Sequence, residues 1–289
     1  MRNNYLITLI SIFLLSSILS FAQQQVYKPV KLNKISENIY EILDGKGARG
    51  GLFIGDNGIM VIDAKQDEIS VRQTIEEIKK VSDKPIKYLV NTHSDGDHVT
   101  GNQFFPSSVT IISHENCRKD FFLPKRDGSI SDWIKPDLLP FVPSVTFSFQ
   151  MDVYLGSQKI ELLYFGVGHT TGDAVVYFPD QKVAFIGDQV FTGRPQLIHS
   201  YKGGNSFEHV KTLTKMLANL DAEKFLSGHS EMLDRAGIQK HIDEMRSLQN
   251  NIKSMIDLNK SLEDIKNDFD ENQATLVETV FNELKSNKN

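Results

Sequence analysis

The chain has one cysteine, Cys117, so no disulfide can form within it and its stability has to come from a packed core or a bound ion. It has one tryptophan, Trp133, and no long block of Lys and Arg. A formal net charge of -5 removes the basic stripe that a nucleic-acid surface needs, so nucleic acid is not expected as a partner. No internal repeat or low-complexity tract is found, which excludes solenoid and linker architectures. The stretch GKGARGG at 45–51 lacks the Gly-Lys-Ser/Thr ending of a phosphate loop and reads as a flexible hairpin. What is present, 289 residues with 40% hydrophobic and 24% charged, suits an ordinary globular protein with one extended core.

The one long apolar run is N-terminal. Arg2 precedes it, it extends from Leu6 to Leu19, and Ser20-Phe21-Ala22 sets small residues at alternate positions before three glutamines. That order reads as a cleavable signal peptide over residues 1–22. The alternative is an uncleaved membrane anchor, opposed by a run shorter than a bilayer span usually needs. The expectation is export to the periplasm or the exterior, no stable membrane span after cleavage, and a single domain over 23–289.

NIYEIL, GGLFIG and GIMVID, separated by Gly, Asn and Asp, read as consecutive strands, so the chain opens on an antiparallel sheet. DEISVRQTIEEIKKVS brings Ile69, Ile75 and Ile78 near helical spacing, with Val71 and Val81 alongside, and stops before Pro85; an amphipathic helix is predicted. A second strand-rich block, VTFSF, KIELLYF, DAVVYFP and KVAFIGD, precedes the helical SFEHVKTLTKMLANL, the strand and turn KFLSGH, and charged amphipathic helix toward Asn289. Two sheet-forming halves, each followed by helices, bury their apolar faces against each other. The expected fold class is α/β, a four-layer αββα sandwich. The irregular segment from about Glu115 to Pro143 reads equally well as a surface insertion or as a lid or substrate wall.

Between the strand IKYLV and a short helix stands NTHSDGDH, residues 91–98, with two histidines and two aspartates in six positions. Like charges this close repel and imidazoles need partners; a bound cation resolves both. His93, Asp95, Asp97 and His98 share this loop, while His169 in GVGHTTGD, Asp188 in FIGDQV and His229 in LSGHS occupy equivalent places after other strands. A lone histidine is more often a hydrogen-bonded structural residue, and His114, His199, His209 and His241 are left under that reading. Cys117 reads as a small buried apolar residue. Seven ligand-type side chains on four loops form a different pattern.

These residues resemble the metallo-β-lactamase superfamily, whose signature is His-x-His-x-Asp-His followed by three further single ligands. The likeness runs from about Asn38 to His229, and GHTTGDAVVYFPDQKVAFIGDQVF is especially similar to the family's third-ligand to bridging-Asp segment. The resemblance implies one metal site of His93, the residue at position 95 and His169, a second of Asp97, His98 and His229, and Asp188 bridging two divalent ions. The family's second histidine is Asp95 here. A carboxylate makes that site harder and more anionic, which admits Fe or Mn beside Zn.

The resemblance further implies hydrolysis of a small carbonyl substrate, a lactam, lactone, ester or thioester, by a metal-bound hydroxide, with Asp97 both ligand and catalytic residue. Export brings β-lactams within reach. Asp188 is closer to the thioesterase and general hydrolase branches than to the true lactamases, which lack that bridge. Two rivals stand beside this reading. One is a non-haem iron redox protein of the same fold, which Asp95 motivates and the lack of a flavin-binding domain in this chain opposes. The other is a catalytically inert metal-binding protein. Tyr201, Lys202 and Asn205 in HSYKGGNS are placed to bind a substrate carboxylate or oxyanion, with a solvated Gly-rich loop as the alternative.

Overall fold

The computed structural model describes residues 27–286, so the expected signal peptide at 1–22 lies outside the described residues. Seven strands come first: β1 (Lys31–Lys34), β2 (Ile39–Leu43), β3 (Gly50–Ile54), β4 (Ile59–Ile62), β5 (Ile86–Asn91), β6 (Thr110–His114) and β7 (Val145–Phe147). They lie side by side in sequence order, antiparallel up to β4 and parallel from β4 to β7. A second sheet holds β8 (Gln150–Leu155), β9 (Gln158–Leu163), β10 (Val175–Phe178), β11 (Val183–Gly187) and β12 (Lys224–Ser227). Its spatial order is β12-β11-β10-β9-β8, and only β11 and β12 run parallel.

Parallel neighbours need crossovers. Helix α1 (Glu68–Val81) carries the chain from β4 to β5; α2 (Gly96–Val99) and α3 (Glu115–Asp120) are short; α4 (Ser206–Asn219) joins β11 to β12. The chain then closes with α5 (Arg235–Asp257), α6 (Leu262–Lys266) and α7 (Ala274–Ser286).

Alternation along the strands decides which layer each side chain meets. Met60 and Ile62 of β4, with Phe53, Val90 and Ile112, face Leu155, Ile160, Leu162, Val176 and Phe185 of the second sheet. Ile59, Val61, Leu89 and Ile111 point the other way, onto Val71 and Ile78 of α1. On the far side Val175, Tyr177, Ala184 and Ile186 meet Val210, Leu213 and Met216 of α4, Ile242 of α5 and Val277 of α7. Each large side chain buried in these seams contributes about 1.5–3 kcal/mol. The four layers expected from the sequence are present, helix, sheet, sheet and helices.

Three strands lack a sequence signal strong enough to read. β1 is a short, Lys-flanked edge, the usual form of a protected edge strand. β8 buries only Val153 and Leu155, and β6 is a brief apolar run beside the motif and the insertion. In α1 the expected face shifts: Val71, Thr74 and Ile78 are buried, whereas Ile69 and Val81 are exposed at its two ends.

Candidate metal centre

Every candidate ligand follows the carboxyl end of a strand. β5 ends at Asn91, and the turn into α2 brings forward His93, Asp95, Asp97 and His98. From the second sheet come His169 in the β9–β10 connection, Asp188 directly after β11, and His229 after β12. One side-chain atom from each of His93, Asp95, His169 and Asp188 lies within 4.8 Å of the others, and the same holds for Asp97, His98 and His229. Asp188 stands between the groups: its Oδ1 is 3.2 Å from His98 Nε2, and its Oδ2 is 3.4 Å from His229 Nε2 and 3.7 Å from His93 Nε2.

The outward nitrogens of three rings fix their tautomers. His169 Nδ1 is 2.8 Å from the Leu197 carbonyl, which can only accept, so Nδ1 carries a hydrogen and, in the neutral ring, the lone pair is on Nε2. His98 Nδ1 meets Asp63 Oδ2 at 2.8 Å with the same consequence. Thr92 donates its hydroxyl hydrogen to Asp63, leaving its oxygen to accept from His93 Nδ1 at 3.1 Å. The Nε2 atoms of all three rings therefore face the cluster, with lone pairs free to bind a cation once the rings are neutral, and His93 Nε2, His98 Nε2 and Asp188 Oδ1 are buried without a hydrogen-bond partner among the described residues. Two acceptors 3.2 Å apart, His98 Nε2 and Asp188 Oδ1, repel unless positive charge lies between them. The donor set of imidazole nitrogens and carboxylates fits a divalent cation.

The acid–base directions express the same demand. Burial would raise Asp188, but His98 and His93 hold it far below the usual carboxylate range. Burial likewise opposes ionisation of Asp97, yet the hydrogen bond from His229 and the neighbouring His98 bring it to about 2. His169 is disfavoured as a cation by burial and is nevertheless pushed up to about 9 by Asp95 and the carboxylates of Asp188 and Asp173. A buried cluster with this many carboxylates draws in protons or a cation.

Asp63 was not among the residues singled out by sequence. It follows β4 with a φ of 59°, and its two oxygens accept from Thr92 N, Thr92 Oγ1 and His98 Nδ1, each at 2.8 Å, so it sets both the motif turn and one ring. Gly228 brings its backbone against the cluster: a Cβ there would lie 2.4 Å from Asp188 Oδ1 and 2.6 Å from His98 Cε1. The stretch at 45–51, expected to be a flexible hairpin, is fastened instead. Ala48 N donates to the Asp97 carbonyl, Arg49 N to that of Gly228, and the buried Lys65 ammonium to those of Asp44 and Ala48.

His199, read as structural, joins the cluster with Nε2 2.8 Å from Asp95 Oδ2. His114, His209 and His241 stay apart: His114 stacks on Tyr164, and the other two face each other in the second sheet's helical layer. Of the three suggested substrate contacts, Tyr201 is exposed and lines the pocket over the cluster. Lys202 is turned inward, 2.6 Å from Asp95 Oδ1. Asn205 serves the fold instead, since its side-chain oxygen caps α4 by accepting from Phe207 N and Glu208 N, which leaves that oxygen unavailable to substrate. The 115–143 segment contributes a wall, since Arg126 lies over the Tyr201 ring and reaches His199 Nδ1 at 3.2 Å. Cys117 is buried, and burial pushes its thiol well up.

The pocket above the cluster has a volume of about 370 Å³ and is lined by Asp95, Asp97, Asp188, His229, Arg126, Arg194, Phe191 and Tyr201 among others. A larger cavity of about 680 Å³ lies across the 191–196 loop, against α5, but holds none of the seven candidate ligands. Chemistry, not size, marks the smaller one as the site.

Residues 51–229 match the profile of the metallo-β-lactamase superfamily. The chain belongs to that superfamily. It is 26% identical over 186 residues to the 2,4-dinitroanisole O-demethylase subunit alpha of Nocardioides sp. strain JS1661, a match spanning 63% of this chain and about half, 52%, of that one. It is 23% identical over 237 residues to the metallo-β-lactamase type 2 of Elizabethkingia meningoseptica, covering 78% of this chain and 88% of the relative. Among solved structures, a metallo-β-lactamase from Pontibacter korlensis superposes with a TM-score of 0.63 at 18% identity, over 75% of this chain and 99% of that one, a likeness of fold.

Proposed function

We propose that this protein is an exported, metal-dependent hydrolase of a small carbonyl substrate, a lactam, lactone, ester or thioester. The observation that carries the reading is the placement of Asp188 between two groups of inward-facing donors, so that one carboxylate can serve two cations. His93, Asp95 and His169 would hold one ion; Asp97, His98 and His229 the other. Bound there, two divalent ions, Zn foremost, would bring the pKa of water toward neutrality and polarise a carbonyl oxygen.

The chain's own groups set the rest. Asp97, 30% exposed toward the pocket and 2.9 Å from His229 Nε2, is the carboxylate placed to orient an attacking water and pass its proton toward the leaving group. Phe191 and Tyr201 narrow the approach. The proposed export rests on the N-terminal sequence, and no helix among the described residues is long and apolar enough to cross a membrane.

The lactamase relatives and the proposed export favour a β-lactam in the substrate panel, and the O-demethylase relative adds 2,4-dinitroanisole. Protein purified without chelator should turn over at least one lactam, lactone, ester or thioester, lose that turnover to chelator, and lose it in Asp97→Ala. Nitrocefin hydrolysis would select the lactam; inertness of the metal-replete protein to the whole panel removes the hydrolase reading in favour of a binding protein. Iron as the bound metal together with redox cycling would instead support the iron protein.

A further inference from the structure

We propose that Lys202 and His199 make Asp95 a charge-balanced, one-oxygen donor in the place where the family pattern has a neutral histidine. The inference rests on the reading of the cluster as a metal centre. A carboxylate exchanged for an imidazole adds one negative charge and a second oxygen, and sequence logic alone makes the site harder. The surroundings of Asp95 offset both changes.

Lys202 Nζ lies 2.6 Å from Asp95 Oδ1 and also donates to Ser94 Oγ at 2.9 Å. The two side chains are 9% and 12% exposed, so water screens the pair little. With Oδ1 engaged by the ammonium, Oδ2 alone faces His93 and His169, at 3.4 and 3.0 Å. His199 fixes Oδ2 from the other side, with Nε2 at 2.8 Å. Its tautomer follows from Arg126: a guanidinium only donates, so His199 Nδ1 accepts from it at 3.2 Å and Nε2 carries the hydrogen given to Asp95. His199 is therefore a neutral donor to Asp95, and Lys202 cancels its charge. Both are positioning residues, acting through Asp95.

The test is metal selection, a readout independent of turnover. Stripped protein is given Zn and Mn together at limiting concentration, bound metal is counted by elemental analysis, and the Co(II) form is followed by its visible spectrum. Wild type should prefer Zn; Lys202→Met should move the bound Zn:Mn ratio toward Mn by about tenfold or more, the scale on which partners of metal ligands act, and alter the Co(II) spectrum. Asp95→His alone should bind less metal than wild type, because it leaves the Lys202 ammonium buried beside the ions, and Asp95→His/Lys202→Met should recover it.

An unchanged ratio and spectrum in folded Lys202→Met overturns the proposal while leaving the metal centre standing. If Lys202→Met does not fold, the comparison of Asp95→His with the double variant decides: equal metal uptake by the two overturns it. Wild-type protein that binds neither Zn, Mn nor Co overturns the metal reading and this inference together.

Discussion

Asp63 Oδ2 lies 2.8 Å from His98 Nδ1, both side chains buried, and the same carboxylate holds the backbone and hydroxyl of Thr92. Among the described residues it touches no other candidate ligand, yet it decides which nitrogen of His98 faces the cluster. Asp63→Asn should leave the fold in place and weaken metal affinity by roughly 10- to 100-fold, read by competition with a chromogenic chelator. Affinity equal to wild type would show that His98 is oriented without it.

Gly228 tests the geometry of the cluster itself. The Cβ of Gly228→Ala would meet Asp188 Oδ1 at 2.4 Å and His98 Cε1 at 2.6 Å, so one of the two must move. Bound metal and activity should fall together, with circular dichroism close to wild type. Normal metal content in this variant would mean that Asp188 and His98 do not act as the proposed adjoining ligands.

Asn205 separates a cap from a substrate contact. Asn205→Ala should cost about 1 kcal/mol of stability through the lost N-cap of α4, seen in urea unfolding, with KM unchanged. A KM effect without a stability effect would return Asn205 to the substrate.

Acid stability should depend on the His209–His241 pair. Burial, joined for His209 by the neighbouring His241, holds these rings at about 3 and about 4, below the roughly 6.5 of an unfolded histidine. Between those values the unfolded chain binds more protons, so their contribution is complete above pH ~6.5 and is lost as pH falls toward 4. The wild-type urea midpoint should therefore drop between pH 7 and pH 4.5 more steeply than that of His209→Gln/His241→Gln. Parallel slopes would remove the pair from the acid response.

The seven candidate ligands were legible because each combines a ligand-type side chain with the polar end of an apolar run, a coincidence visible in one dimension. His199 and Asp63 were not. His199 acts through a contact to Asp95 104 residues away, and Asp63 is one of many aspartates closing a strand, made distinctive only by the 35-residue gap to His98. The sandwich was legible from two strand blocks with helices after each. β8 was not, because its exposed residues alternate with only two buried ones. Lys202 shows a third kind of loss: its place in a Gly-rich loop suggested a contact to a substrate carboxylate or oxyanion, and only the folded chain turns it toward Asp95.

The candidate ligands come from both sheets, His93, Asp95, Asp97 and His98 from the end of β5 and His169, Asp188 and His229 from the other sheet. Any ion shared between them is also a fastener across the sandwich's central seam, in a chain whose only cysteine cannot supply one. Folding and metal supply are then one equilibrium: at free ion a hundredfold above its dissociation constant, a single occupied site adds about 2.7 kcal/mol to the cohesion of the two halves. A cell that starves the protein of metal would lose the sandwich's grip as well as its chemistry.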